Sequence, residues 1–109
     1  ASLSTDKTNI CYYVCELVCF VCDLKGVNNL FIGFHCTAAQ WYDNNTLISM
    51  RAEDNGHHFT SSVLEAYTLD GKRQTLTDKS IMASYPYAID GKIVFTDLKK
   101  GTAYMMTVK

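Results

Sequence analysis

Apolar residues recur along this chain with a period of two, in short runs divided by turn-forming dipeptides, which is the pattern of β-strands rather than helices. Val63, Glu65, Tyr67 and Leu69 fall on one face of such a run. Ile93, Phe95 and Asp97 alternate with Val94 and Thr96 in another. Asp54-Asn55-Gly56, Asp70-Gly71 and Asp90-Gly91 stand between runs. Asp and Asn tolerate positive φ and Gly has no Cβ, so these are hairpin signals. The pattern predicts strands over 10–22, 29–36, 46–53, 57–69, 72–77, 82–89, 92–97 and 102–108. Pro86 is the single proline and is expected at a strand end or edge, because it cannot donate to a sheet ladder. The expected fold is all-β, an antiparallel sandwich or small barrel of about eight strands linked by tight hairpins, in one domain spanning 1–109.

Tyr67-Thr68-Leu69-Asp70-Gly71-Lys72 is echoed by Tyr87-Ala88-Ile89-Asp90-Gly91-Lys92. Two copies are too few for a repeat architecture, so the echo reads as two hairpins sharing one turn solution. Leu98-Lys99-Lys100-Gly101-Thr102-Ala103-Tyr104, followed by Met105, Met106, Thr107 and Val108, resembles the E–F corner of fibronectin type III domains. The resemblance implies a sandwich corner in which the Tyr104 hydroxyl bonds back to nearby backbone. The cysteine-rich segment has no counterpart in that family.

Composition narrows the class. The chain has 109 residues, 48% of them hydrophobic and 12% aromatic, which is globular rather than disordered. A net charge of −1 gives no basic footprint for nucleic acid. The longest apolar run, 10–22, carries Glu16 and falls short of the roughly 18 residues that span a bilayer, so no transmembrane segment is expected. Ala1-Ser2-Leu3-Ser4 reads as an end left by processing or as a boundary of the chain. Asn44-Asn45-Thr46 is a glycosylation sequon and points to secretion.

The five cysteines, Cys11, Cys15, Cys19, Cys22 and Cys36, are the most unusual feature. Small secreted domains use disulfides to supplement a marginal core. Cys36 is the natural partner for one of the other four, closing a loop of 14 to 25 residues. A bridge over about 15 residues stabilises by roughly 3 kcal/mol. Along one strand Cys15 and Cys19 would lie about 13 Å apart, so they could not bridge each other. Five is odd, so at least one cysteine stays free or pairs with another chain. A metal reading competes: Cys19-x2-Cys22 with His35-Cys36 could supply four ligands. Cys15-x3-Cys19-x2-Cys22 has the spacing of the radical-SAM iron–sulfur motif, but that class needs a far larger barrel. Five buried thiols in a cytoplasmic core are the third possibility.

Other chemistry is sparse. His57-His58 sits in a turn, and adjacent strand residues point apart. No nucleophile elbow and no phosphate loop occurs. Trp41 and Tyr42, beside polar Asp43-Asn44-Asn45, could edge a ligand site. These features favour a secreted, non-enzymatic binding or structural module that uses no cofactor, acts through protein surfaces, self-association included, and is stabilised by disulfides. One alternative is a small barrel carrying an apolar ligand, lined by Met50, Met82, Met105 and Met106. Another is a metal or thiol enzyme centred on Cys15, Cys19, Cys22, His35 and Cys36.

Overall fold

A computed structural model describes residues 2–4, 6–14, 18–27, 29–34, 36–57 and 59–108. Every regular element among them is a β-strand, and every strand pairing is antiparallel. β1 (Ser2–Leu3), β2 (Asn9–Val14), β3 (Val18–Asp23) and β4 (Leu30–Phe34) form a first sheet in that order. β5 (Cys36–Asp43), β6 (Thr46–Asp54), β7 (Phe59–Thr68) and β8 (Arg73–Thr75) form a central sheet. β9 (Ala83–Ile89), β10 (Lys92–Asp97) and β11 (Thr102–Met106) form a third, ordered β11–β10–β9. The strand order of each sheet is open, and the all-β antiparallel arrangement is compatible with a small sandwich.

The central sheet is covered on both faces. Leu47 and Tyr67 point towards the first sheet and pack with Cys11, Cys19, Val21, Ile32 and Ala39. Ile48, Met50, Leu64 and Ala66 point the other way and pack with Ala83, Ile93 and Phe95 of the third sheet. Thr46 to Met50 are therefore all buried, which is why alternation is weak in that stretch. Hydrogen bonds through side-chain hydroxyls tie the central sheet to the third. The Tyr42 hydroxyl donates to Gly91 O at 2.7 Å and the Ser62 hydroxyl to Ala83 O at 2.6 Å.

Two expected boundaries are corrected. The run 10–22 is not one strand but two, β2 and β3, paired from Asn9↔Asp23 to Val14↔Val18. No Gly or Pro marks the reversal, and residues 15–17 lie outside the described residues. Strand 29–36 ends at Phe34, and a separate strand, β5, runs through Trp41 and Tyr42. Burial against both neighbouring sheets holds β5 in place of a loop.

The echoed Asp-Gly pairs make two different turns. Asp90 (φ 49°) and Gly91 (φ 73°) are both left-handed, as a two-residue type I′ hairpin requires. At the other copy only Gly71 is left-handed (φ 97°). Gly71 N–H donates to Thr68 O at 3.0 Å and Thr68 N–H to Lys72 O at 2.9 Å, a longer loop closed by a bulge. The fibronectin-like corner is corrected too. Residues 98–101 join β10 to its own neighbour β11 in one sheet, so no crossing between sheets occurs there. The Tyr104 ring stacks on Phe95 with centroids 5.6 Å apart. No backbone bond from its hydroxyl is found among the described residues.

Candidate functional site

The outer face of the third sheet is built by a defect in β9. Ser84 opposes Thr96 and Tyr87 opposes Val94, so Tyr85 and Pro86 together face the single residue Phe95. This is a β-bulge, and it accommodates the proline in an edge strand where its missing N–H breaks no ladder. Tyr85 adopts φ 54°, an uncommon conformation for a residue with a Cβ. Its N–H points at the Met50 sulfur, 3.4 Å away. Pro86 turns inward and both Tyr85 and Tyr87 turn out. Tyr85 is 58% exposed, Tyr87 56%, Ile89 48% and Met105 63%. Tyr87, Val94 and Met105 occupy successive cross-strand positions, so an apolar row crosses all three strands of the sheet.

Asp97 anchors the far end of that sheet. Its carboxylate is fully buried and accepts from Met82 N at 3.1 Å and Lys99 N at 2.9 Å. Burial pushes its pKa up, but the Met82 and Lys99 amides, with the charge and amide of Lys100, outweigh it and leave the carboxyl below its ordinary value. The 98–101 turn is closed by Leu98 N–H to Met82 O and Gly101 N–H to Asp97 O.

β11 is an unusual edge. It pairs with β10 in unbroken register, and Thr102–Met106 carries no charge and no proline. The other edges are blunted. β1 has only two residues, β8 has three and includes Arg73, β5 is interrupted by register shifts, and β9 has its bulge and Pro86. β4 is apolar, but Arg73 reaches across to its Ile32 carbonyl at 3.4 Å. Natural sheets use such devices to prevent pairing with another chain.

A second feature is an open cleft of about 690 Å³ beside β7 and the 76–79 segment. Its charge is mixed, Arg51 and Lys79 against Glu53, Glu65 and Asp78. Glu65 is 3% exposed, and the Tyr67 hydroxyl donates to it at 3.0 Å, with a weaker Thr75 contact at 3.5 Å. Arg51 Nε lies 3.1 Å from the same carboxylate without hydrogen-bond alignment. The Arg73 guanidinium covers the Tyr67 ring at 4.9 Å. The Tyr67 and Thr75 hydroxyls and the Arg51 charge hold Glu65 in a buried polar network.

The cysteines are distributed by the hairpin. Cys11 and Cys19 share the inward face of the first sheet, with sulfurs 3.3 Å apart. Cys22 lies on the opposite face and is also buried. All three are thiols, so the disulfides expected of them are not formed. In the register Cys11 opposes Val21 and Cys19 opposes Tyr13, which leaves the two cysteines diagonal. Cys15 and His35 lie outside the described residues, as does the Cys36 side chain, although Cys36 backbone starts β5 opposite Arg51. The four-ligand set fails on geometry, because Cys19 and Cys22 point to opposite sides of one sheet. Among the described residues no group of His, Cys, Asp and Glu is placed to hold a metal ion.

Trp41 and Tyr42 are not brought together. Trp41 packs on the core beneath the first sheet and Tyr42 on the core beneath the third. Asn44 lies in the two-residue turn between Asp43 and Thr46, where its side-chain oxygen accepts from Asp6 N at 2.8 Å. His57 is exposed in its turn and His58 lies outside the described residues. The candidate methionines do not line one cavity, since Met50 is buried in the core and Met105 is outside. Sequence reading missed the face of β9–β11, although Tyr85-x-Tyr87-x-Ile89 alternates and Pro86 signalled the bulge beside it. No described helix is long and apolar enough to cross a membrane. Compared with protein-family models, curated proteins and solved structures, the chain matches none of them.

Proposed function

We propose that this chain is a secreted, non-enzymatic module that works through protein–protein contacts and is stabilised by disulfides, with a second copy of itself as partner. The observation that carries the reading is the apolar row Tyr87–Val94–Met105, flanked by Tyr85 and Ile89, on a sheet whose β11 edge is unprotected. Tyr and Met are enriched at protein interfaces, and a contiguous exposed apolar face is a usual mark of one. A flat face of this kind suits a protein surface better than a small ligand, which needs a concave pocket. An uncharged edge beside it lets two copies pair β11 to β11 by main-chain hydrogen bonds while their faces meet. The Asn44 sequon in a hairpin turn supports a secreted setting.

Sedimentation equilibrium on the full chain tests this reading. The wild type is expected to associate as concentration rises, and Tyr87→Lys with Met105→Lys to remain monomeric at an unchanged melting temperature. A wild type that stays monomeric at high concentration overturns it.

A further inference from the structure

Cys11 and Cys19 meet in a way the sequence alone does not announce. Eight residues apart along the chain, they would lie far apart on one strand, but the β2–β3 hairpin folds them onto one buried face. Their sulfurs are 3.3 Å apart, and each side chain is at most 2% exposed. Val21, Ile32 and Leu47 pack the same core. We infer that Cys11 and Cys19 are an oxidisable pair, the site of an intramolecular disulfide that locks the β2–β3 hairpin. The pairing deepens the secreted, disulfide-stabilised reading and rests on it only for where an oxidant is met.

The step needs a two-electron thiol oxidant, and glutathione disulfide is the class that supplies it. The Cys11 thiolate attacks one glutathione sulfur, which breaks that disulfide and releases one glutathione thiolate. The Cys19 thiolate then attacks the Cys11 sulfur of the mixed disulfide and releases the second glutathione. The two protons lost from Cys11 and Cys19 pass to the two departing thiolates. Both sulfurs are buried, so the exchange takes place as the hairpin forms or locally opens, not on the closed sheet.

Geometry sets what the bond asks of the fold. Closing it brings the sulfurs from 3.3 Å to about 2.0 Å. Diagonal positions on paired strands sit about 7–8 Å apart at Cα, just beyond the usual disulfide range, so a small added twist of β2 against β3 is required. The pair is thus within reach of a bond without being held in one. Cys22 cannot substitute for Cys19, since it points to the other side of the sheet.

Intact mass and peptide mapping of the full chain test the assignment. The reduced protein is unfolded and refolded in a glutathione redox buffer, alkylated, and cleaved after Tyr13, Glu16 and Phe20, which places Cys11, Cys15, Cys19 and Cys22 on separate fragments. The expected result is a linked Cys11–Cys19 fragment pair, lost on reduction, and the same link in a Cys15→Ser, Cys22→Ser, Cys36→Ser variant. Both thiols still alkylated after oxidation, or Cys11 linked to another cysteine, overturns it. If the variant does not fold, the wild-type map decides alone. Failure of the docking face is read separately, by sedimentation of Tyr87→Lys with Met105→Lys. A linked pair in a monomeric protein sinks the self-association and leaves this assignment standing.

Discussion

At the scale of single residues, two buried carboxylates govern how this fold answers to mutation and to pH. Glu65 is nearly inaccessible and Arg51 is its charged partner. Removing Arg51 strands a buried charge, whereas neutralising Glu65 leaves a guanidinium whose Nε is buried but whose side chain, 35% exposed, water can still reach. Arg51→Met is therefore expected to destabilise by about 3 kcal/mol, and Glu65→Gln by clearly less, as measured by urea unfolding. Equal losses would show that the pair does not work as the geometry implies. Asp97 governs the pH response. Its folded pKa is lowered, so its stabilisation is full above the unfolded value of about 3.9 and is lost as pH falls through the lower folded value. Asp6, Asp70 and Asp78 are lowered likewise, first by hydrogen bonds from Thr8, Thr68 and Ser80. The melting temperature should drop on acidification below about pH 4, and Asp97→Asn should flatten part of that slope. An unchanged slope in the variant would remove Asp97 from this role.

At the scale of elements, the bulge in β9 is the feature with a functional reading. A left-handed conformation at a residue with a Cβ is strained by about 1 kcal/mol or more, and here it turns an aromatic ring into solvent. Asn tolerates that conformation far better than Tyr. Tyr85→Asn is expected to hold or raise stability in thermal unfolding while it weakens self-association. A variant that loses stability and keeps association would assign Tyr85 to the fold rather than the face. Legibility differed among the elements for physical reasons. β10 was readable because one face is covered and the other more open, which leaves clean alternation, and Asp90-Gly91 marked the turn before it. β5 was missed because both its faces are packed and its register slips twice, which erases the period of two. The β2–β3 reversal was missed because apolar residues flank it without Gly or Pro. That single error hid the Cys11–Cys19 contact, since cysteines on one strand cannot meet and cysteines across a hairpin can.

At the scale of the whole molecule, the central sheet divides the core in two. One cluster lies against the cysteine-bearing sheet and the other against the sheet that carries Tyr85, Tyr87 and Met105. All three sheets are meanders of sequence neighbours, so turn chemistry and strand pattern were enough to foresee an all-β antiparallel fold. How strands group into sheets was not foreseeable, because it depends on which faces find cover. Nor was the exposed face, because an alternating strand reads the same whether its apolar side is buried or left open for a partner. In the proposed assembly a second copy covers the β9–β11 face and the β11 edge. Hydrogen–deuterium exchange, measured on the full chain at low and high concentration, tests this most directly. Added protection at 85–89 and 102–106 on raising the concentration is the predicted result. Exchange that does not depend on concentration in those segments, or protection appearing only in the first sheet, would contradict it.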